Sequence, residues 1–282
     1  MRVLVSCDRI GRLGPAEASD VLAGAFQERG AQVAVAPMAG GGEDLAGAMA
    51  RFEPEASLTT VGAVTELPTA LAQRPDYLDV TALPPPSLEE LLALPVADGR
   101  GVTVVVPDAE VGQRLTGLQG ALAERGRQAG GDLTDILAAD AAAEDWLARI
   151  GVEDEAPAGA MGGLGAWAIA QSARVASGLD LCIDGYRLRE VAAKADLIVT
   201  GTDTLDFHHR GGEVVRRLTQ VATQALTPVI VVAGRNFVSA RELRLTGIEE
   251  AHAVASTGVG ETSVGQVELR NLAARVATTW TW

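Results

Sequence analysis

The chain has 282 residues, 23 basic and 37 acidic side chains for a net charge of −14, and 48% hydrophobic but only 4% aromatic residues. The acidic balance argues against binding to nucleic-acid backbones or anionic membranes, because such proteins carry basic patches. The apolar content excludes disorder and the two cysteines exclude a disulfide scaffold. The chain is therefore predicted to bury an aliphatic core.

The first part of the chain alternates strands and helices. Val3–Cys7 is an apolar strand, followed at once by Asp8 and Arg9, so it is too short for a secretory leader. We predict a helix over 15–29, a second strand over 32–36 and a helix over 43–52. Because no stretch is long enough to span a membrane, the protein is predicted to be cytosolic.

The middle of the chain has a weaker pattern, broken by Pro84–Pro86. Strands are predicted at Thr59–Val64, Tyr77–Val80 and Val102–Val106, and helices at 87–94, 110–125 and 132–149. Ser87 and Glu90 have the spacing of a capping box at the start of the first of these helices.

The last third is the most regular. Helices are predicted at 160–176, 187–193, 212–225 and 264–278, and strands at 197–200, 229–233 and 251–254. This alternation predicts an α/β fold with a parallel, doubly wound, Rossmann-like sheet. Residues 1–58 and 159–282 are expected to form that domain, and 59–158 a smaller inserted α/β domain. Cys7 and Cys182 lie in apolar, strand-like runs, which favours reduced core thiols over catalytic ones.

Ligands of open α/β sheets bind beyond the carboxyl ends of the strands. The loops predicted there are Asp8–Arg12, Pro37–Glu43, Gly201–Arg210 and Gly234–Asn236. Their carboxylates, arginines and helix N-termini suit a small anionic substrate, including a magnesium–phosphate complex. Ordinary turn chemistry is the alternative for each loop, since Gly and Asp favour turns.

Two further features leave alternatives open. The glycine cluster Gly159–Gly165 lacks the Lys-Ser/Thr of a P-loop and does not follow a strand. Its glycines either let a phosphate approach backbone N–H groups or allow close helix packing. The pair His208-His209 has no accompanying set of ligands at metal-binding spacing, which favours a solvated loop pair.

Six stretches occur in a fixed order: Cys7–Arg12, Pro37–Leu45, Gly159–Ala166, Ser177–Asp184, Ala195–Asp206 and Pro228–Gly234. Together they resemble the motifs of the type II glycerate kinases, two-domain α/β enzymes that phosphorylate D-glycerate with ATP and Mg²⁺. The third stretch, G-A-M-G-G-L-G-A, is almost intact against the family's G-A-A-G-G-[LM]-G-A.

The chain also departs from the family pattern. The family's two lysines fall at Gly11 and Gly212, the aspartate of its A-D-G-G-E at Gly40, and the glutamate of its G-E-G at Thr202. Its central glycine-rich motif has no counterpart, and the chain is shortened between Leu94 and Val102. Asp8, Glu43 and Asp206 remain.

The resemblance implies ATP-dependent phosphorylation of D-glycerate or a related small hydroxy acid. Asp8 or Asp206 would orient or deprotonate the attacking hydroxyl, and Glu43 and Asp203 would hold Mg²⁺. Phosphate or carboxylate contacts would come from Gly41, Gly42, Gly162, Gly163, Gly165 and Arg12. Asp8, Glu43, Asp203, Asp206 and Gly163 are expected to converge on one cleft.

Turnover is expected to depend on Asp206. The alternative function is that of a catalytically degenerate member that binds a small anionic metabolite or a protein partner, which the loss of two lysines favours. The oligomeric state stays open, with a homo-oligomer among the alternatives.

Overall fold

The structure is a computed structural model that describes residues 1–206, 208, 210–256 and 264–281. It divides into two compact units. The terminal unit consists of Met1–Ala39, Gly47–Glu53 and Leu181–Trp282, and the middle unit of Gly40–Ala46 and Pro54–Asp180. Among the described helices, none combines the length and the apolar character needed to cross a membrane.

The terminal unit contains a parallel sheet with the order β2-β1-β7-β8-β9. Its strands are β1 (Arg2–Cys7), β2 (Gln32–Val35), β7 (Leu197–Leu205), β8 (Val229–Asn236) and β9 (Glu250–Ser256). Its helices are α1 (Pro15–Gln27), α9 (Leu188–Ala192), α10 (Gly212–Ala225), α11 (Ala240–Leu245) and α12 (Gln266–Trp280).

Helices α1 and α12 share one hydrophobic core with the sheet. Pro15 opens α1, and the side chains of Leu22 and Phe26, four residues apart on one helix face, are fully buried. They pack in the same cluster as Val199 of β7 and Leu272 of α12. Burying each large side chain contributes about 1.5–3 kcal/mol, so this contact fixes α1, and the loop before it, against the sheet.

The middle unit contains a second parallel sheet with the order β3-β4-β5-β6. Its strands are β3 (Leu58–Thr60), β4 (Tyr77–Asp79), β5 (Thr103–Val106) and β6 (Arg174–Ser177). Its helices are α3 (Leu67–Ala72), α4 (Leu88–Ala93), α5 (Ala121–Gln128), α6 (Leu133–Ile150) and α7 (Leu164–Ala170). Helices α2 (Gly42–Met49) and α8 (Gly178–Gly185) contain residues of both units.

The predicted fold class is confirmed, because both sheets are parallel and flanked by helices. The predicted boundary at 159 is wrong. Strand β6 pairs with β5, with Val175 opposite Val104, so the middle unit runs on to Asp180. The helix predicted over 160–176 is instead a short 3₁₀ helix at Ala160–Gly163, then α7 and β6.

Other element predictions also need correction. The helix predicted over 110–125 begins only at Ala121. Strand β7 continues through Leu205 and β8 through Asn236, because the two strands keep pairing beyond their apolar parts, with Thr204 opposite Arg235. Cys182 lies on α8 and not on a strand. Cys7 and Cys182 are nevertheless both buried and free, as expected of core thiols.

Candidate functional site

The carboxyl edge between β1 and β7 is the topological switch point of the terminal sheet. The order β2-β1-β7 places the strand that follows β1 in sequence on one side and the later strands on the other. Asp8 directly follows β1, and its N–H donates to Gly201 O at 3.0 Å. Asp206 directly follows β7. Both predicted catalytic carboxylates therefore lie at the edge where such folds bind ligands.

The two carboxylates occupy different levels of this edge. Cys7 pairs with Gly201, so Asp8 is level with Thr202, four strand positions before Asp206. At a strand rise of about 3.3 Å per residue, this places them roughly 13 Å apart along the strand direction. Asp8 Oδ1 accepts the Arg9 N–H at 2.7 Å. A Cβ atom at Gly212, the first residue of α10, would lie 4.0 Å from Asp8 Oδ2.

Asp8 thus lies beside the N-terminus of a 14-residue helix. The backbone N–H groups of the first turn and the helix dipole make such an end favourable for anions. A phosphoryl group placed there would have the Asp8 carboxylate within reach of its neighbouring atoms. The residues leading into this helix, Arg210, Gly211 and Gly212, all have left-handed backbone conformations, with φ of 49°, 82° and 83°.

Asp203, a predicted magnesium ligand, lies within β7 and not in a loop. Its Oδ1 accepts the Gly11 N–H at 2.8 Å, and its Oδ2 lies 3.6 Å from Arg235 Nη2. The carboxylate therefore ties the loop Asp8–Arg12, called the first loop below, to β7, and it balances the charge of Arg235. The Asp203 side chain is still 47% exposed, and hydrogen-bonded carboxylates keep lone pairs for a metal, so its role as a Mg²⁺ ligand stays a prediction.

Gly11 stands where the family has its first lysine, and the backbone explains why a glycine is required. Its φ is +58°, and a Cβ atom would overlap Val264 O and lie 2.8 Å from Val264 Cβ. The neighbouring Arg12 N–H donates to the same carbonyl at 3.1 Å, and the Arg12 side chain is exposed. The first loop has thus closed against Val264.

An apolar cavity of about 190 Å³ lies beside Asp206. Its lining residues are Leu205, Asp206, Arg210, Val238, Glu242, Leu243, Leu245, Thr246 and Ile248. It shares Arg210, Leu245, Thr246 and Ile248 with a larger groove of about 410 Å³ that runs along α10. This cavity was not predicted from the sequence, because α11, which supplies three of its nine lining residues, was not predicted.

The predicted residues Gly41, Gly42 and Glu43 belong to the middle unit, where α2 begins. The Gly42 N–H donates to Asp79 Oδ2 at 2.5 Å, and a Cβ atom at Gly41 would overlap the Thr81 hydroxyl. Asp79 itself is fully buried, and its Oδ1 accepts the Thr81 N–H at 2.8 Å. The two glycines therefore fit α2 closely against the turn after β4, while Glu43 is exposed.

Sequence reasoning missed two buried carboxylates at the carboxyl edge of the middle sheet, Asp79 at the end of β4 and Asp108 after β5. The Ser177 hydroxyl at the end of β6 donates to Asp108 Oδ1 at 2.8 Å. The available signal was an aspartate close to the end of each apolar run. Asp79 lies within Tyr77–Val80, and Asp108 lies two residues after Val102–Val106.

Gly162, Gly163 and Gly165 are buried in the middle unit. A Cβ atom at Gly165 would overlap Pro157 O, one at Gly163 would lie 3.1 Å from Leu91, and one at Gly162 would overlap Arg125. The structure thus accounts for these glycines by close packing, the second of the two alternatives. Their contact with phosphate stays a prediction.

A carboxylate already occupies part of this glycine-rich turn. The N–H of Met161, which has a left-handed φ of 51°, donates to Glu110 Oε2 at 2.7 Å. Arg125 Nη2 lies 3.8 Å from the same oxygen. Burial lowers the pKa of the Arg125 guanidinium, and the charge of Glu110 partly offsets this effect.

The predicted site residues therefore fall into two groups. The terminal unit holds Asp8, Arg12, Asp203 and Asp206, and the middle unit holds Gly41, Gly42, Glu43, Gly162, Gly163 and Gly165. Over the described ranges, no three His, Cys, Asp or Glu side chains come together in a group able to hold a metal ion. His209 lies outside the described residues.

Comparison with solved structures shows a match over 99% of this chain and 98% of the other, with a TM-score of 0.63 and 19% sequence identity. That protein, from Salmonella typhimurium LT2, is provisionally named glycerate kinase 2. At this identity the match shows a shared fold.

Two curated relatives are 33% identical over 157 residues, the uncharacterized proteins Mb2228c of Mycobacterium bovis and MT2261 of Mycobacterium tuberculosis. The alignment covers 54% of this chain but only 41% of the length of these relatives. A sequence profile described as the glycerate kinase family matches residues 95–281, well over half of the chain. The chain therefore belongs to the glycerate kinase family.

Proposed function

We propose that the protein is a kinase that transfers the γ-phosphoryl group of ATP to a hydroxyl of D-glycerate or a related small hydroxy acid. Family membership supports this reaction class. The observation that carries the proposal is the Asp8 carboxylate beside the N-terminus of α10, at the switch point of the sheet. A proton acceptor and a group of anion-binding N–H donors are two of the elements on which phosphoryl transfer to an alcohol depends.

In this reaction Asp8 accepts the proton of the substrate hydroxyl as its oxygen forms a bond to the γ-phosphorus. The bond from that phosphorus to the β–γ bridging oxygen breaks, and the electron pair leaves with ADP. The N–H groups that open α10 stabilise the charge on the transferring group. Asp8 keeps its orientation because its Oδ1 accepts the Arg9 N–H and its own N–H is tied to β7.

Magnesium supplies further charge compensation in enzymes of this class when it is bound. Asp203 would be a candidate ligand for it, because its carboxylate is 47% exposed and keeps lone pairs beside its contacts with Gly11 and Arg235. Asp203 also holds the loop Asp8–Arg12 in place through the hydrogen bond from the Gly11 N–H. The two buried, free thiols fit a reducing compartment, and we place the reaction in the cytoplasm.

A second function, binding of a small anionic metabolite without turnover, is favoured by one specific observation. The two positions that hold lysines in the family, Gly11 and Gly212, are both glycines with left-handed φ values of 58° and 83°. These two glycines carry no charged side chain in place of the family's lysines. The arginines nearby have a planar guanidinium, which differs from the point charge of a lysine. Such a site would retain an anion but stabilise the transition state less.

The deciding experiment couples ADP release to a spectroscopic signal, with D-glycerate, ATP and Mg²⁺ as reactants. Asp8→Asn and Asp206→Asn are assayed beside the unmodified protein. We expect Asp8→Asn to lower kcat by about 10²-fold or more, the scale of acid–base and electrostatic contributions. A 10²-fold loss in Asp206→Asn alone would instead assign proton transfer to Asp206, as the sequence suggested.

Absence of turnover in the unmodified protein with any hydroxy acid would reject the kinase proposal. Thermal stabilisation by the hydroxy acid alone would then support the metabolite-binding function. Melting curves of both Asn variants serve as the folding control, since loss of a cap at a helix end costs only about 0.5–2 kcal/mol.

A further inference from the structure

We infer that the apolar cavity beside Asp206 binds the purine base of the nucleotide, with Asp206 at the ribose and Arg210 at the phosphates. The inference rests on the proposed function, because it locates the nucleotide of that reaction. It assigns Asp206 to nucleotide binding and leaves proton transfer to Asp8.

The chemistry of the cavity wall selects the class of ligand. Most of the wall area is apolar, and the polar groups at the cavity come from four residues. The apolar residues are Leu205, Val238, Leu243, Leu245 and Ile248, and the polar ones are Asp206, Arg210, Glu242 and Thr246. A small hydroxy acid carries polar groups on nearly every atom, and an apolar wall would leave these without hydrogen bonds at a cost of about 1–3 kcal/mol each. A flat, apolar-faced purine loses little by entering such a cavity and gains from the burial of its faces.

The cavity is large enough to enclose only part of a nucleotide-sized ligand. Sites for whole drug-sized molecules enclose about 300–1,000 Å³, whereas this cavity has about 190 Å³. The cavity meets the groove of about 410 Å³ at Arg210, two residues before α10, so a longer molecule can leave the cavity there. A base in the cavity with a sugar and phosphates outside it matches this shape.

Arg210 is placed to receive the phosphates. Its side chain lines both the cavity and the groove, and within the described part of the chain its guanidinium makes no hydrogen bond or ion pair. Two carboxylates, Asp206 and Glu242, line the same cavity, so Arg210 is the cation among its lining residues that can pair with phosphates. Arg210 also keeps a left-handed φ of 49°, a conformation that costs a non-glycine residue about 1–3 kcal/mol.

The spacing along the strand edge agrees with this orientation. Asp206 lines the cavity, whereas Asp8 lies beside the start of α10, roughly 13 Å back along the strand direction. A nucleotide whose base lies in the cavity would run its ribose past Asp206 and its phosphates past Arg210 towards α10. A carboxylate at the sugar is well suited to accept hydrogen bonds from ribose hydroxyls, as in other parallel α/β folds.

The test measures nucleotide binding by calorimetry, using ADP, adenosine and tripolyphosphate as separate ligands. Val238→Trp fills the cavity from a partly exposed position, and Val96→Trp, at a position 90% exposed in the other unit, is the matched control. We expect Val238→Trp to weaken ADP and adenosine binding at least tenfold and tripolyphosphate binding less than twofold. Val96→Trp should bind all three like the unmodified protein.

Two further variants separate the sugar from the phosphates. Asp206→Asn should raise the Kd for adenosine and ADP together, and the KM for ATP. Arg210→Gly, which suits the left-handed backbone, should weaken ADP and tripolyphosphate at least tenfold but adenosine less than twofold. Circular dichroism of each variant verifies that it is folded.

Unchanged ADP affinity and unchanged KM for ATP in Val238→Trp would overturn the inference, and so would absence of nucleotide binding to the unmodified protein. Turnover distinguishes this failure from that of the proposed function. If the unmodified protein turns over hydroxy acid and Val238→Trp keeps its ADP affinity and its KM for ATP, only the cavity assignment is rejected. Nucleotide binding that Val238→Trp abolishes, without turnover on any hydroxy acid, supports the cavity assignment and rejects the kinase.

Discussion

Restoring the family's first lysine by Gly11→Lys is expected to unfold part of the site instead of repairing it. Gly11 has a φ of +58°, and any Cβ atom there meets the Val264 backbone and lies 2.8 Å from Val264 Cβ. A left-handed conformation costs a residue with a Cβ atom about 1–2 kcal/mol, and overpacking about 1–3 kcal/mol. The substitution should therefore lower the free energy of unfolding by about 2–5 kcal/mol.

The strain also acts on the neighbouring hydrogen bonds. Moving Gly11 away from Val264 breaks or lengthens the bond from the Arg12 N–H to Val264 O, at 3.1 Å, and the bond from the Gly11 N–H to Asp203 Oδ1, at 2.8 Å. These bonds hold the loop that carries Asp8. We therefore expect Gly11→Lys to have lower turnover than the unmodified protein, although it adds the missing charge.

Urea denaturation measures the loss, and hydrogen exchange of peptides from β1 and β7 assigns it to the terminal unit. Gly11→Ala carries the Cβ atom without the charge and should account for most of the effect. Gly40→Asp restores another family residue at a position where a Cβ atom meets nothing within 4 Å, and should change stability by no more than about 0.5 kcal/mol. Gly11→Lys as stable as Gly40→Asp would refute the reasoning.

Three other predictions concern the rest of the molecule. Burial raises the pKa of Cys7 to about 12 and of Cys182 to about 11, so a thiol reagent at pH 8 should label them only after unfolding; rapid labelling of the native protein would contradict this. Gly47→Ala, at an exposed position in α2 where a Cβ atom meets nothing within 4 Å, should raise the free energy of unfolding by about 0.5–1 kcal/mol, and a loss would contradict it. Hydrogen bonds from the backbone and side chain of Arg2 lower the pKa of Asp196, so its contribution is present above the ordinary value of 3.8 and is lost as pH falls below it. Acid titration of stability should accordingly be shallower in Asp196→Asn, and identical slopes would argue against the effect.

Most strands were predictable because continuous apolar runs mark buried parallel strands. Val3–Cys7, Val102–Val106 and 229–233 all proved to be strand cores. The ends of β7 and β8 were not predictable from such runs. Thr202–Leu205 is polar and contains Asp203, residue types that favour turns, and only pairing with β8 keeps this segment extended.

Strand β6 illustrates the same limit. Arg174–Ser177 has four residues, no alternation of apolar side chains and no turn glycine or proline directly before it. Its partner β5 lies about 70 residues earlier in the chain, so no local sequence pattern predicts the pairing of the two strands. The helix predicted there followed from the Gly/Ala-rich composition, whose glycines instead serve close packing around Leu91 and Pro157.

The positions of Asp8 and Asp206 were predictable because a strand end and the family motif coincide there, while their catalytic roles stay predictions. The role of Asp203 as a metal ligand stays a prediction, and its contacts with Gly11 and Arg235 could not be predicted because they come from two other segments of the chain. The cavity beside Asp206 needs α11, whose capping box at Ser239 and Glu242 was readable in the sequence but was not used.

The pairing of β1 with β7 has a consequence for the order in which the chain folds. Val3 lies opposite Leu197, so two central strands of one sheet are made 194 residues apart. At about 5–20 residues per second, a ribosome completes β7 roughly 10–40 s after β1. During that interval the apolar strand β1 has an unpaired edge of the kind that promotes aggregation. The middle unit consists of the short segment Gly40–Ala46 and the continuous stretch Pro54–Asp180, so all of it is made before β7. We therefore expect the terminal sheet to close last, and the edge that carries Asp8 and Asp206 to be the final part of the protein to form.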